Sequence, residues 1–501
     1  MIGVDAMKML LKRIGIDTRR ESIAFLDDDD LTSRALGLHS MDRIEVSANG
    51  RRILAVLNIV EGSVVPLGTL GLSNVAFEKL GASAGTLVEV TPAEPPASVD
   101  ALRLKIAGRE LSALQLREIV DDIVRSRYSK VELTAFVVSA TINGLSDKEI
   151  LGLTNAMIES GDQLHFDSTI VADKHSIGGV PGNRTTPIVA SIAAAAGLII
   201  PKTSSRSVTS PAGTADTVEV LMNVELSPER IYDVVRREGG CLVWGGALNL
   251  APADDMIIQV EHPLNIDSQG LMISSILAKK KAAGATHVVL DIPVGPGTKA
   301  QTAEKGERLK ERFQQLGLRL GMNIRGLLTD GSQPIGNGIG PVLEAEDVIK
   351  VLRNDADAPQ DLREKSLYLA GELFELTGKA RGEGRALAEK KLSSGEAYEK
   401  FEKIRDLQGR RERPPPGSHT QDILAETNGC ISKVDNSIIT RIAQLAGAPH
   451  NPEAGVYIAK HVGDAADSGQ LLLRIFSESE ESLAFATRYW RENAHAGIEI
   501  T

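Results

Sequence analysis

A lysine, a histidine and a serine lie at the start of a glycine-rich run at residues 173–183. Glycines let the backbone approach a ligand closely, and the free amides at the start of a helix suit an anion. Lys174 adds a positive charge to this stretch and Ser176 a hydroxyl donor. The residue types therefore indicate a phosphate-binding loop. A structural turn is the competing interpretation, because the run lacks the glycine patterns of the P-loop and of dinucleotide-binding folds.

Hydroxyl side chains dominate a second stretch at residues 201–216, where five of them fall within seven positions around Arg206. A loop that is only solvated carries Glu, Lys and Asp more often than this run of small hydroxyl residues. We therefore expect ligand contact here, with a polar surface loop as the alternative.

Two further charged residues stand where ligands commonly bind. Asp267 comes immediately before an amphipathic helix predicted at residues 271–280, where it either caps the helix or faces a ligand. Lys299 follows a strand predicted at residues 288–292, and α/β proteins bind ligands at the carboxyl ends of such strands.

The elements that must position these residues begin with a small β-rich domain at residues 1–98. Its short β-rich runs include the hairpin dipeptide Asn49-Gly50. At residues 104–169 apolar side chains recur at helical spacing, and Ser146 with Glu149 has the spacing of a capping box, which predicts a helical lobe.

A central α/β domain is predicted at residues 170–252 and 284–409, where strand patterns such as 168–172 alternate with helical patterns such as 186–196. A proline-rich linker then leads to an α+β domain at residues 420–501. The predicted fold class is a multidomain α/β protein, with a helical lobe, a central mixed α/β sheet domain, a β-rich N-terminal domain and an α+β C-terminal domain.

The composition of the chain argues against several classes of partner. The 501 residues carry a formal net charge of -11, which argues against nucleic acid as a partner. Cys241 and Cys430 lack metal-site spacing, and we expect neither a metal nor another cofactor. The longest apolar run, residues 188–200, is shorter than the ~20 residues of a membrane span, so we expect no membrane partner and a cytoplasmic location.

Five motifs in order resemble the thymidine and pyrimidine-nucleoside phosphorylase family. They are KHSIGGV at 174–180, SSR with GTAD at 204–216, LAPADD at 250–255, SILAKK at 275–280 and QPIGNGIGPVLEAED at 333–347. The segments GGVPGN and SSRSVTSPAGTADTVE, together with the N-terminal β domain, are similar to the type 2 branch of this family, which includes the archaeal AMP phosphorylases. The resemblance implies a helical lobe that holds the base, with residues 253–283 returning to it, and an α/β lobe that holds phosphate.

The family's functional residues carry over by motif position. The resemblance implies phosphate contacts at Lys174, Ser176, Ser204 and Thr214, base contacts at Ser275 and Lys279, and His175 as the acid for a departing pyrimidine. For the AMP-type branch it implies Asp267 as the proton donor, with substrate contacts at Gly179, Ser205, Arg206, Ser207, Val208, Thr209, Ser210, Thr214, Ser275 and Lys299. Inorganic phosphate is then the co-substrate, and the assembly a homodimer or larger homo-oligomer.

The substrate is left open between thymidine and AMP. Thymidine-specific members place an arginine about fifteen positions before the serine matched by Ser275, where this chain has Val260 beside Glu261 and His262. An acidic group suits protonation of a purine nitrogen, which favours the AMP type, and Arg206 or Lys299 would then neutralise a 5′-phosphate.

Two rival hypotheses remain from the sequence. An anthranilate-type phosphoribosyltransferase would share the glycine and hydroxyl loops and would hold Mg²⁺ on pyrophosphate, with Asp254-Asp255 as the candidate acidic pair. A non-enzymatic scaffold or binding protein would tolerate the loss of Lys174 and His175.

Overall fold

The computed structural model describes residues 6–18, 21–30, 35–62, 64–207, 210–264 and 266–501. By compactness the chain divides into two units. One consists of Met1–Leu104 with Asp121–Ala135, and the other of Lys105–Val120 with Phe136–Thr501.

The described part of the first unit contains a closed six-stranded β-barrel. Its elements are β1 (Met7–Arg13), β2 (Ile23–Asp27), β3 (Arg43–Ala48), β4 (Arg51–Val60), β5 (Thr69–Leu72), helix α1 (Asn74–Leu80) and β6 (Leu87–Pro92). Alternate residues of β3, Ile44, Val46 and Ala48, are buried, as the period of a strand requires. The hairpin predicted at Asn49-Gly50 is confirmed, because Ala48 pairs with Arg51 and both turn residues have positive φ.

Helices follow the barrel: α2 (Val99–Ile106), α3 (Ala113–Val124), α4 (Lys130–Ile142) and α5 (Asp147–Glu159). The capping box predicted at Ser146 and Glu149 is confirmed at the start of α5. The same Glu149 carboxylate accepts hydrogen bonds from Lys105 Nζ (2.7 Å) and Leu111 N (3.0 Å). Glu149 therefore ties three segments of the second unit together while it caps the helix.

Parallel strands carry the first predicted loops, in one three-stranded and one two-stranded sheet that are joined by the parallel bridge Val171–Ile199. They are β7 (Ala172–Ser176), β8 (Ile200–Ser204), β9 (Gly240–Trp244), β10 (His287–Val294) and β11 (Asn323–Asp330), in the described orders β11-β10-β7 and β8-β9. The predicted strand at 168–172 was wrong in its bounds. Residues 172–176 form β7 instead, because buried ion pairs allow polar residues to occupy a covered strand.

Helices cover these strands and connect them. They are α6 (Thr185–Ala195), α7 (Thr214–Glu219), α8 (Pro228–Glu238), α9 (Pro252–Leu264), α10 (Gln269–Ala282), α11 (Ala303–Arg319), α12 (Pro341–Arg353), α13 (Gln360–Thr377), α14 (Gly384–Ser393) and α15 (Glu396–Gln408), with a 3₁₀ turn at Gly245–Leu248. Helix α6 is buried on all sides, and its Ile188, Val189 and Ile192 are inaccessible to solvent. The core therefore holds the amino end of α6 rigidly beside the glycine-rich run.

The remaining elements are β12 (Gly338–Ile339), β13 (His419–Leu424), β14 (Gly429–Val434), α16 (Asn436–Ala446), β15 (Gly455–Ile458), β16 (Ala465–Ala466), β17 (Leu471–Ser477), α17 (Glu480–Gly497) and β18 (Ile498–Ile500). They form two small sheets, β12-β15-β17-β13 and β16-β14-β18. Across the residues described above, the helices lack the combined length and apolar character that a membrane crossing needs.

Replacing Glu149 with alanine tests the buried tie. The change leaves the Lys105 ammonium buried without its carboxylate, so we expect a loss of about 3–5 kcal/mol in the free energy of unfolding, measured by urea denaturation. Glu159→Ala is the matched control. Its pair with Arg117 is half exposed, and exposed pairs contribute less than about 1 kcal/mol. Equal losses in the two variants would contradict the assignment.

Candidate active site

Strand β7 delivers Lys174 to the first turn of helix α6. Its Nζ atom donates hydrogen bonds to Thr185 Oγ1 (2.6 Å) and Thr186 Oγ1 (3.3 Å) and lies 4.0 Å from Asp291 Oδ2. Burial lowers the pKa of Lys174 to about 7, against the opposing effect of Asp291. A lysine at the amino end of a helix, with a proton that exchanges near neutral pH, suits an anionic ligand.

Asp291, on the neighbouring strand β10, organises the polar groups around this lysine. Its Oδ1 accepts a hydrogen bond from Thr329 (2.6 Å), and its Oδ2 accepts one from Asn183 Nδ2 (3.0 Å). Lys365 Nζ lies 3.3 Å from the same Oδ2. Desolvation alone would raise the pKa of Asp291, but Lys365 and Lys174 bring it below the ordinary value. An ionised carboxylate therefore balances two buried ammonium groups.

A second buried carboxylate, Asp173, lies one residue before Lys174. Its oxygens lie 3.2 Å from Lys202 Nζ and 2.7 Å from Lys280 Nζ. Burial, followed by the charges of Lys280 and Lys202, holds the pKa of His175 well below its usual value. The imidazole is therefore neutral at neutral pH and can donate a hydrogen bond, but these surroundings disfavour the acid role predicted for it.

Gly179 fixes the path of the glycine-rich run. Its φ is +94°, and a Cβ atom at this position would lie 2.7 Å from Thr298 Cα. No other residue fits there, because both the backbone conformation and the space exclude a side chain. The run consequently packs against residues 295–299, and Gly179 and Lys299 are brought close to each other.

Asp216 folds the hydroxyl-rich loop back on itself. Its Oδ2 accepts hydrogen bonds from Ser207 N (2.7 Å) and Gly213 N (2.8 Å). A Cβ on Gly213 would lie 2.5 Å from Ser207 N, so the loop closes only over a glycine. The predicted contacts Val208 and Thr209 lie outside the described residues.

Arg184 links this loop to the glycine-rich run. Its guanidinium donates hydrogen bonds to Thr214 Oγ1 (2.9 Å) and Ala212 O (2.9 Å) and forms a buried ion pair with Glu344 (2.5 Å). The arginine immediately precedes helix α6, so it fixes the predicted phosphate residue Thr214 relative to the amino end of that helix.

Ser204 stands at the carboxyl end of β8, as Ser176 does at the end of β7. Within the described parts of the chain, its Oγ atom is buried and has no hydrogen-bond partner. Buried polar groups are normally satisfied, and an orphaned hydroxyl calls for an explanation. A ligand oxygen at this strand end is the simplest one.

The predicted ligand contact Arg206 is held by acidic groups in the structure. It forms ion pairs with Glu219 and Glu225 (3.1 Å) and lies 3.6 Å from Asp216. Its guanidinium also stacks on Trp244, 4.6 Å from the ring centre. The hydrogen bond that it donates to Glu219 raises the pKa of Arg206 above its already high usual value. The structure therefore uses this cation to anchor the loop.

Helix α10 holds the predicted base-contacting residues one turn apart. Ser275 Oγ donates to Asp254 Oδ2 (2.8 Å), and Lys279 Nζ lies 2.7 Å from Asp254 and 3.2 Å from Asp255. Burial opposes the charge of Lys279, but the two aspartates raise its pKa above the usual value. The next residue, Lys280, reaches Asp173, so one helix fixes the base-contacting residues relative to β7.

Asp267 and Lys299 are brought together as an ion pair, with Lys299 Nζ 2.9 Å from Asp267 Oδ1. A cavity of about 610 Å³ opens beside them. Helix α11 contributes three further cations to its lining, Lys305, Arg308 and Arg312. The pair is partly exposed, so a substrate can reach it.

The comparisons with known proteins agree with this architecture. Residues 99–161 match the helical bundle domain of a glycosyl transferase family, and residues 168–398 match the a/b domain of that family. The fold and the site therefore define a pentosyltransferase.

Full-length relatives narrow the class. A protein of Methylococcus capsulatus named "Putative thymidine phosphorylase" is 47% identical over 494 residues, which cover 98% of this chain and 96% of the relative. A protein of the same name from Albidiferax ferrireducens is 47% identical, and the match covers 96% of this chain and 93% of the relative. Another, from Legionella pneumophila strain Paris, is 45% identical with the same coverage of both chains. The chain belongs to the thymidine phosphorylase family.

Among solved structures, anthranilate phosphoribosyltransferase from Thermus thermophilus superposes with a TM-score of 0.52. The match covers 62% of this chain and 99% of that protein at 22% sequence identity. At this identity the similarity shows a shared fold and nothing about the reaction.

Several residues of the site escaped the sequence analysis. Asn183, Arg184, Asp291 and Lys365 bear on the phosphate loops through hydrogen bonds and ion pairs that join distant segments. Only the polar pair Asn183-Arg184 ahead of an apolar helix was a visible signal. Asp291 and Lys365 lie in an apolar strand and an amphipathic helix, where a charge is usually a surface residue.

Replacing Lys174 with methionine tests its predicted phosphate contact. Because its ammonium is present below pH 7 and lost above it, we expect phosphate affinity of the wild type to weaken up to tenfold per pH unit above about 7. Lys174→Met should bind phosphate weakly and without this dependence, as measured by calorimetry. Lys8→Met is the control, because the exposed Lys8 Nζ lies 3.8 Å from Glu89 Oε1 in the β-barrel and the variant should keep the wild-type affinity and its pH dependence. Loss of the pH dependence in the control alone would refute the assignment.

Proposed function

We propose that the chain catalyses phosphorolysis of the N-glycosidic bond of a nucleoside or nucleoside monophosphate. The products are the free base and (deoxy)ribose 1-phosphate or ribose 1,5-bisphosphate. The observation that carries the proposal is the Ser204 hydroxyl at the carboxyl end of β8, which is buried and lacks a hydrogen-bond partner among the described residues. Strand β8 is joined to β7, which carries Lys174 and Ser176, by the parallel bridge Val171–Ile199. Hydroxyls, a lysine and helix amides on neighbouring parallel strands make a site for a multiply charged oxyanion.

The chemistry assigns separate tasks to the two groups of residues. Phosphate held near Lys174, Ser204 and Thr214 attacks C1′ while the bond to the base breaks through an oxocarbenium-like state. Ser275 and Lys279 orient the base. A group near the base gives it a proton as it leaves. Closure of the helical lobe over the α/β lobe excludes water and favours phosphate as the nucleophile.

Thymidine and AMP remain the leading substrates. The relatives' name favours thymidine. The acidic surroundings of the base end, with Glu261 near the position of an expected arginine, favour a base that accepts a proton. For a nucleotide, Lys299 is the better partner of a 5′-phosphate, because Arg206 is already neutralised by three acidic side chains.

The phosphoribosyltransferase alternative rests on a shared fold. Its candidate acidic pair, Asp254 and Asp255, binds Lys279 instead, and Asp254 also binds Ser275. We therefore propose phosphorolysis and not phosphoribosyl transfer, with phosphate as the co-substrate and no metal or other cofactor. A homodimer or larger homo-oligomer in the cytoplasm completes the proposal, and light scattering in solution tests the oligomeric state.

A substrate panel tests the reaction. We expect release of one or more of thymine, uracil, cytosine and adenine from nucleosides or their monophosphates, with strict dependence on phosphate or arsenate. Chromatography of the free bases is the measurement. Turnover that requires phosphoribosyl pyrophosphate and Mg²⁺ would support the transferase instead.

Replacing Ser204 with alanine separates a ligand contact from a structural one. Removing an unpartnered buried hydroxyl should leave the melting temperature unchanged or raised, while the KM for phosphate increases by about tenfold, equivalent to one hydrogen bond of roughly 1.4 kcal/mol. Ser191→Ala is the matched control, because Ser191 Oγ already donates to Pro187 O (2.7 Å). A lower melting temperature with an unchanged KM would count against the phosphate contact.

A further inference from the structure

Helix α13 places a lysine, Lys365, against the carboxylate that neighbours the predicted phosphate-binding lysine. The Lys365 side chain is only 9% exposed, and its Nζ atom lies 3.3 Å from Asp291 Oδ2. The same oxygen lies 4.0 Å from Lys174 Nζ. Lysine is almost never buried unless it is paired, and here two buried ammonium groups share one carboxylate. The three side chains come from α13, β10 and β7 and together carry one positive charge in excess.

The Asp291 carboxylate is oriented by groups other than Lys365. Thr329 Oγ1 donates a hydrogen bond to its Oδ1 (2.6 Å), and Asn183 Nδ2 donates one to its Oδ2 (3.0 Å). In the parts of the chain that the structure describes, Lys365 Nζ is buried and has no hydrogen-bond partner. Lys365 therefore acts on Asp291 through its charge, and the direction of the carboxylate does not depend on it.

Lys174 has two competing sets of partners. Its Nζ atom donates hydrogen bonds to Thr185 Oγ1 (2.6 Å) and Thr186 Oγ1 (3.3 Å) in the first turn of α6, where the helix amides favour an anion. Its distance to Asp291, 4.0 Å, is longer than the ~2.7–2.9 Å of a charge-assisted hydrogen bond. Because Lys365 already neutralises that carboxylate, the Lys174 ammonium remains at the amino end of α6.

The charged groups that face Lys174 agree with this geometry. Burial lowers the pKa of Lys174 to about 7, and the negative charge of Asp291 opposes this effect. The positive charges of Lys365 and Arg184 lower the pKa further, and Asp173 raises it. Lys365 also lowers the pKa of Asp291 against the effect of burial. Among the cations that act on Lys174, Lys365 has the largest effect.

We propose that Lys365 is a positioning residue of the phosphate site. By neutralising Asp291 it leaves the Lys174 ammonium at the amino end of α6, with its charge available to the bound anion. The inference rests on the proposed phosphorolysis and adds a residue to its phosphate site. The ligand class that this arrangement serves is an oxyanion with two negative charges, such as phosphate, arsenate or sulfate.

Sulfate binding measured by calorimetry tests this role, because sulfate keeps two negative charges in the pH range where phosphate itself titrates. In the wild type we expect the affinity for sulfate to fall above about pH 7, as Lys174 loses its proton. Lys365→Met removes a positive charge close to the anion, so the affinity at about pH 6 should weaken at least about tenfold. The pH at which the affinity begins to fall should move upward, because the variant lacks a charge that lowers the pKa of Lys174.

A double variant separates charge from packing. Lys365→Met combined with Asp291→Asn removes one positive and one negative charge together, so the net charge around Lys174 returns to that of the wild type. We expect the double variant to recover most of the sulfate affinity that the single variant loses. Lys400→Met is the matched control. Its Nζ atom also pairs with a carboxylate, 2.7 Å from Glu238 Oε2, but on helix α15, and the variant should keep the wild-type affinity and pH dependence.

Steady-state phosphorolysis gives a second measurement. Lys365→Met should raise the KM for phosphate by the same factor by which it weakens sulfate binding. We expect kcat to change much less, because Lys365 acts through Asp291 and does not touch the reacting atoms. A fall in kcat with an unchanged KM would contradict a role in the phosphate site.

The outcomes separate the two proposals. Unchanged sulfate affinity and an unmoved pH dependence in Lys365→Met would overturn the positioning role and leave phosphorolysis standing. A double variant that binds sulfate poorly would overturn it too, since Lys365 would then not act through Asp291, and this comparison holds even if the single variant does not fold. If the wild type bound neither sulfate nor phosphate and released no base from any substrate, phosphorolysis itself would fail and the role of Lys365 with it.

Discussion

The ion cluster of Asp173 with Lys202 and Lys280 is the interaction on which the rest of the site depends. A carboxylate buried this completely is tolerated only with cationic partners at short range, and its two partners come from β8 and α10. These two ion pairs hold together three elements: the strand that carries Lys174, the strand that ends in Ser204 and the helix that carries Ser275. The predicted phosphate loops and the predicted base-contacting residues are thus held in place relative to one another by a single buried group of charges.

Most other charged side chains of the site form ion pairs, but two ionisable groups have pKa values far from their usual ones. Arg206, Lys279 and Lys299 are each neutralised by carboxylates. Burial lowers the pKa of Lys174 to about 7 and raises the pKa of Glu261 to about 7. Lys174 lies on β7 at the start of the glycine-rich run, and Glu261 lies on helix α9. Groups with displaced pKa values are more frequent at functional sites than elsewhere in proteins.

Local patterns were reliable where the cause of structure is local. The Asn49-Gly50 hairpin, the Ser146 capping box and helix α6 at Thr185–Ala195 lie where turn, cap and period predict them. The start of β7 was misplaced because Asp173 and Lys174 are unfavourable in a buried strand until distant residues neutralise them. The ion pairs of Arg206, a predicted ligand contact, join it to residues 10 to 19 positions away along the chain, which no local pattern reveals.

The sequence by itself determined the family, the order of the motifs and the identity of most residues around the site, because these depend on residue types and short spacings. The tertiary structure decided which of those residues have free functional groups. Among the described residues, Ser204 Oγ has no hydrogen-bond partner, whereas Arg206 and Asp267 form ion pairs. That distinction depends on burial and on charges brought together from separate segments, and no local pattern records either.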